Sequence, residues 1–276
     1  MGTLFHDKIA GMTWSYSRIN SYYQCPKMFY MSYIDKAESI DSAFAQWGSL
    51  CHSILDDYAK GNLLEFELGD TYEVRYPEYM TERFPPNKWT DLNAKYYDNG
   101  KEFFDDFEGF PEHWEIIASE QEIRIDIGGI RVRGFIDLII RDKRDGRIII
   151  VDHKSKAKFK NEQELEHYGY QLYFYAIWVY ENFGEWPKEL IFNMFRIRDE
   201  KHIAFTEDGL QKAIGWLKEN VNNIFEDEDF LDKVELEYQE KGEPIPENLQ
   251  ADFFCRHLCS VRYHCERSGL YIGEMD

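Results

Sequence analysis

The sequence predicts an α/β fold, a central mixed β-sheet flanked by helices. Three features carry that prediction. Residues 116–127 and 130–140 alternate apolar and polar side chains on either side of Gly128-Gly129, the pattern of a hairpin. Residues 147–152, RIIIVD, place four apolar residues in a row after the turn signal Asp145-Gly146, as a short central strand does. Residues 162–183 then carry apolar side chains at helical spacing until GEWP ends the run.

The remaining elements follow in order. Residues 13–33 read as helix with Ser15 or Ser17 as N-cap, and Cys25-Pro26 breaks the run. Residues 42–60 set Trp47, Leu50, Cys51, Ile54, Leu55 and Tyr58 on one helical face. Residues 61–112 are polar and aromatic, with a helix expected around 90–107 and a turn at Pro85-Pro86. Residues 189–199 and 201–206 predict two further strands joined by a tight turn, and 207–225 a helix. The tail reads as loop, with Pro244 and Pro246 ahead of a group of cysteines.

A chain of 276 residues suits one large domain or a domain with additions. It contains no run of about 18 apolar residues, and its first residues lack the basic and apolar parts of a secretion signal. The expectation is a soluble, cytoplasmic protein without a membrane partner. A net charge of −20 opposes a surface uniformly attractive to phosphates. The charge is uneven, however. Residues 141–160 hold eight Lys or Arg against three Asp, a local +5, and 226–240 hold eight acids against one Lys. The acidic run reads as a solvated helix or loop. Five cysteines, an odd number, favour metal binding over disulfides.

Asp137 lies on the strand before the second turn and Asp152 ends the next strand. A short hairpin brings both carboxylates to one sheet edge, where they repel unless a cation lies between them. Oxygen ligands suit Mg²⁺ or Mn²⁺. Lys154 points with Asp152 in extended backbone and can hold a water nucleophile or offset developing charge. A salt-bridged strand end would look the same.

G-x-x-D at 134–137, a hairpin, an apolar strand and D-x-K at 152–154 resemble the core of the PD-(D/E)XK nuclease superfamily, with Ile136 in place of the proline. Gln171-x-x-x-Tyr175 and Gly48-x-x-x-His52 resemble motifs of its RecB-like branch. The resemblance implies a restriction-endonuclease-like core. It implies a metal held by His52, Asp137, Asp152 and the backbone carbonyl of His153, with Lys154, Gln171, Tyr175 and Glu120 serving catalysis. Read without it, His52 is a structural histidine and Gln171 and Tyr175 ordinary helix packing. An imidazole ligand favours Mn²⁺ over Mg²⁺.

Cys255, Cys259 and Cys265 form C-x3-C-x5-C, and Cys25 lies far upstream in a C-P segment. This split layout resembles that of AddB-type and CRISPR-adaptation nucleases and implies a [4Fe–4S] cluster, although the first spacing there is C-x2-C. Zinc, with His257 or His264 replacing a cysteine, is the alternative. Cys51 reads as core. The resulting expectation is a single RecB-like nuclease domain over 1–276. Within it fall a cluster lobe (13–33 plus 244–270), a helical insertion (61–112) and a nuclease core (115–225). By resemblance the activity is that of an Mn/Mg-dependent DNase, an exonuclease on single-stranded DNA ends. Lys156, Lys158 and Lys160, with Arg196 and Arg198, would contact phosphates. A separate helicase or recombination partner, and host cytoplasm for a viral protein, fit the same family. The alternatives are a non-catalytic DNA-binding or complex-forming subunit and a structure-specific endonuclease.

Overall fold

The computed structural model describes residues 2–246, 249 and 251–271, so 247, 248 and 250 of the expected cluster lobe lie outside the described residues. In chain order the helices are α1 (Gly2–Ala10), α2 (Tyr16–Gln24), α3 (Pro26–Phe29), α4 (Ala43–Ala59), α5 (Leu68–Tyr79), α6 (Leu92–Asp105), α7 (Glu162–Phe183), α8 (Glu207–Glu226), α9 (Lys233–Lys241) and α10 (Phe253–His257). The strands are β1 (Trp114–Ile127), β2 (Ile130–Asp142), β3 (Ile148–His153), β4 (Glu189–Met194) and β5 (Asp199–Ala204). The described residues fall into two compact units, one within 43–215 and one that joins residues before 43 to residues after 215. Among the described residues no helix is long and apolar enough to cross a membrane.

The first of these units holds a five-stranded sheet in the order β1-β2-β3-β4-β5, antiparallel except for the parallel β3–β4 pair. Gly128 and Gly129 close the first hairpin with φ of +63° and +91°, a backbone that glycine adopts at little cost. Every residue of β3 is buried, as its apolar run requires at the centre of the sheet. The parallel pair needs a crossover, which α7 supplies; Asn161 caps its start and Gly184 ends it in left-handed conformation. The strand expected over 189–199 stops at Met194. Phe195 turns inward and packs on Trp47 at 5.6 Å, and 195–197 form a 3₁₀ turn.

Helix α4 buries Trp47, Leu50, Cys51, Ile54 and Leu55, and Cys51 is core as expected from its place on the apolar face. The segment 61–112 contains two helices beyond single turns rather than the one expected. Both α5 and α6 share an apolar cluster with α4. Tyr72 anchors it: its hydroxyl accepts from Trp47 Nε1 at 2.9 Å and donates to the Tyr96 carbonyl at 3.2 Å. Pro77 sits in the last turn of α5, has no N–H to give the Glu73 carbonyl, and the helix ends two residues later.

In the other unit Ser15, not Ser17, caps α2 by accepting from Arg18 N at 3.1 Å. Cys25 ends that helix and caps α3, its Sγ accepting from Met28 N at 3.4 Å. The acidic run is not simply solvated. Asp227 accepts from the Tyr22 hydroxyl at 2.8 Å. Asp232 is buried, caps α9 and meets Arg267 at 3.1 Å, while Glu235 meets Lys27 at 2.6 Å. Helix α9 itself stands in a stretch expected as solvated helix or loop. These acids are bound because the basic partners come from distant sequence.

Candidate active site

Ladder pairing of β2 with β3 ends at Leu138 opposite Val151. Beyond that point the Asp137 carboxylate takes over from the backbone, its Oδ2 accepting from His153 N at 2.6 Å. Asp137, Asp152 and His153 are all buried. On the neighbouring strand Ser119 faces Leu138 and Gln121 faces Ile136, so Glu120 lies level with Asp137. Glu120 has φ +46°, unusual for a non-glycine residue. Helix α4 brings His52 to the same place. Gly48, one turn earlier, faces Ser155, where even a Cβ would make ordinary contact at 3.4 Å from Ser155 Oγ.

His52 Nδ1 is 3.5 Å from Asp137 Oδ2. One ligand atom from each of His52, Glu120 and Asp137 lies within 4.8 Å of the others, the group of metal-type side chains so placed among the described residues. Asp152 is outside this group. Its Oδ2 is 2.5 Å from Lys154 Nζ and has no hydrogen-bond partner of normal geometry. Lys154 also donates to Gln171 Oε1 at 3.2 Å, and Gln171 Nε2 donates to the Tyr175 hydroxyl at 2.5 Å. The 171–175 pair is one helical turn apart and faces the lysine. Tyr175 closes over Gly134, where a Cβ would come within 2.8 Å of its ring.

Burial raises the Asp152 carboxyl, and repulsion from Asp137 adds to it against the pull of Lys154. Burial also raises Glu120, with Asp137 adding. For Asp137 burial is outweighed by His52, His153 and Lys154, which hold it low. For His52 burial is outweighed by Asp137 and Asp152, which raise it. Three acids and one lysine in a buried fork are short of positive charge. A buried carboxylate oxygen met by a single lysine, two carboxyls pushed up and an imidazole among them fit a divalent cation. The His153 ring stacks on Phe110 at 6.3 Å and meets the His52 ring edge-on at 5.7 Å, with Nδ1 3.0 Å from Asn193 Nδ2, and burial lowers its pKa to about 4.

The expected phosphate contacts differ among themselves. Lys158 and Lys160 are exposed. Lys156 pairs with Glu164 at 2.9 Å and lies over the Tyr168 ring. Arg196 covers Tyr96, and Arg198 meets Asp106 at 3.0 Å. Within the basic run Arg144 and Arg147 turn to the buried Asp142, at 2.6 and 3.4 Å. Sequence reasoning missed Asp142, whose only signal was an acid inside a basic turn. It also missed Asn193, legible afterwards from its register opposite His153.

Cys25, Cys255, Cys259 and Cys265 line one pocket with Met28, Met31, Phe254 and Val261. His257 and His264 are not among its lining residues. Burial pushes up the thiols of Cys25 and Cys255, and that of Cys259 to about 12. Among the described residues no three thiol sulfurs lie as close together as the ligand atoms of His52, Glu120 and Asp137.

The family model of the PD-(D/E)XK nuclease superfamily matches residues 13–266. No curated protein gives a significant match.

Proposed function

Because the chain belongs to the PD-(D/E)XK nuclease superfamily, we propose that it is a metal-dependent deoxyribonuclease acting on single-stranded DNA ends. The observation that carries this reading is the convergence of His52, Glu120 and Asp137 beside the Asp152–Lys154 pair. His52, Asp137 and Glu120 would hold Mn²⁺ or Mg²⁺, with Asp152 and the His153 carbonyl completing the set. Bound there, the ion supplies Lewis acidity at a phosphoryl oxygen and acidifies a water. Lys154 orients that water or donates to a phosphoryl oxygen, and Gln171 with Tyr175 holds the lysine in place. Lys158 and Lys160 are free to meet phosphates because they project from the strand exit into solvent. Preference for single-stranded ends rests on the RecB-like motifs.

We further propose that the four cysteines hold a [4Fe–4S] cluster. Their common pocket supports a metal group. The choice of an iron–sulfur cluster over one zinc ion rests on the split layout of Cys25 and C-x3-C-x5-C.

The test is cleavage of end-labelled linear and circular single strands with Mn²⁺ by wild type, Asp152→Ala and Lys154→Ala. Loss of cleavage in both variants, with linear strands preferred, is expected. Unchanged cleavage in both would sink the mechanism, and equal attack on circles would make the enzyme an endonuclease.

A further inference from the structure

The β1–β2 hairpin extends beyond the metal-type group as a two-stranded arm. Its two faces differ. Ile123, Ile125, Ile127, Val132 and Ile136 are buried on one side. On the other, Arg124, Asp126, Arg131, Arg133 and Phe135 are exposed. Side chains two apart on a strand share a face, so the outer row of β2 runs Arg131, Arg133, Phe135 and then Asp137. Glu120 on β1 is level with Asp137 by register, although its positive φ interrupts the alternation there. Phe135 stands two residues, about 6.6 Å along the strand, from Asp137.

Three details of this outer face are hard to explain by stability alone. Arg124 lies directly opposite Arg133, a like-charge pair that weakens a hairpin. Both guanidiniums converge on the same oxygen, Glu122 Oε1, at 2.8 and 2.9 Å, so one carboxylate serves two cations. Phe135 is 43% exposed, and the Arg133 guanidinium lies 5.1 Å from its ring centre. The exposed phenylalanine gains only the weak contact with Arg133, and the pair of arginines carries one positive charge more than its partner offsets. The chain as a whole is at −20, so this local excess is not inherited from composition.

We propose that the outer face of this arm is a binding track for a single strand of nucleic acid leading into the metal site. Arg124 and Arg133 take a backbone phosphate, exchanging the exposed Glu122 contact for it, since such surface pairs hold weakly. Phe135 stacks on a base next to the phosphodiester that a cation bound at Asp137 and Glu120 would hold. A base inside a duplex has no free face for that ring, so the track selects single strands. The proposal rests on the nuclease reading only in taking the metal site as the strand's destination.

The experiment measures binding, not turnover: fluorescence anisotropy of a labelled oligothymidylate over a range of salt, without added divalent metal. Arg124→Ala/Arg133→Ala is expected to weaken binding about tenfold and to reduce the slope of log affinity against log salt by about 1. Phe135→Ala is expected to weaken it about tenfold with the slope unchanged. Phe135→Trp should retain affinity, which excludes general misfolding as the cause. Glu122→Gln should bind more tightly than wild type, because the competing carboxylate charge is gone. Wild-type affinity in both loss variants, or tighter binding of duplex than of single strand by the wild type, overturns the track. Failure of wild type to cleave while these differences hold would overturn the nuclease reading and leave the track standing.

Discussion

His52 Nδ1 lies 3.5 Å from Asp137 Oδ2, the oxygen that also accepts from His153 N. The contact holds imidazole and carboxylate at the spacing that a shared cation needs. Ion pair and metal site are therefore alternatives at one place, and the first is available without metal. Asp137→Asn removes charge from both and should reduce Mn²⁺ affinity and cleavage by at least about a hundredfold, since even residues that only orient ligands cost up to that much. His52→Ala should weaken Mn²⁺ more than Mg²⁺ because nitrogen ligation favours the former. Calorimetric titration with each ion decides the matter; equal losses for both ions would remove His52 from the ligand set.

Gly134 leads the G-x-x-D segment, and its importance is steric rather than conformational. A Cβ there would lie 2.8 Å from the Tyr175 ring, inside any normal contact. Tyr175 is buried and tied to Gln171, so it has little room to yield. Gly134→Ala should cost about 1–3 kcal/mol by overpacking, read as a lower urea midpoint. It should also lower kcat more than a comparably destabilising change remote from Lys154. An unchanged midpoint would mean that the ring relaxes freely.

The cysteine pocket makes a spectroscopic prediction. Anaerobically purified protein should be brown and contain iron, and Cys25→Ala or Cys259→Ala should lose both colour and stability, because metal binding contributes folding free energy. A colourless protein with one zinc per chain would reverse the assignment. The pocket's wall also contains Arg267 and the buried Asp232. Asp232 bridges the capped start of α9 to Arg267, so Asp232→Asn should destabilise the unit in the cluster-loaded protein too.

How far the sequence was legible follows from how local each signal is. The Gly128-Gly129 hairpin, the buried β3 and the spacing of Asp152 to Lys154 depend on turn chemistry and strand period, both local. Asp137 and His52 were legible through motif spacing. The closeness of Glu120 to them was not derivable from alternation, since it depends on a positive φ inside β1. Nor was the separation of Asp152 from that group, which follows from its pairing with Lys154. In 61–112 the aromatic residues pack on α4 from distant sequence positions and mask the period of α5. Counting charges along the run 141–160 overstated its free positive charge, because acids outside the run pair with it: Glu185 meets Arg141 at 3.0 Å, Glu189 meets Arg147 at 3.6 Å and Glu164 meets Lys156 at 2.9 Å.

That carboxylate, Asp142, gives the fold a predictable acid sensitivity. It is fully buried and accepts from the Arg144 side chain and backbone at the turn between β2 and β3. The hydrogen bond from the Arg144 side chain holds its pKa well below the usual carboxylate range, outweighing burial, with the Arg144 backbone adding. A folded-state pKa below the unfolded value near 4 means that the stabilisation is complete above about pH 4 and lost as pH falls below it. Asp142→Asn should therefore melt several degrees lower than wild type at neutral pH, and the gap should narrow progressively as pH falls below about 5. Other carboxylates titrate in the same range, but they do so in both proteins, so the difference between the two melting curves isolates Asp142. A gap that stayed constant with pH would show that the residue acts through shape and not through charge.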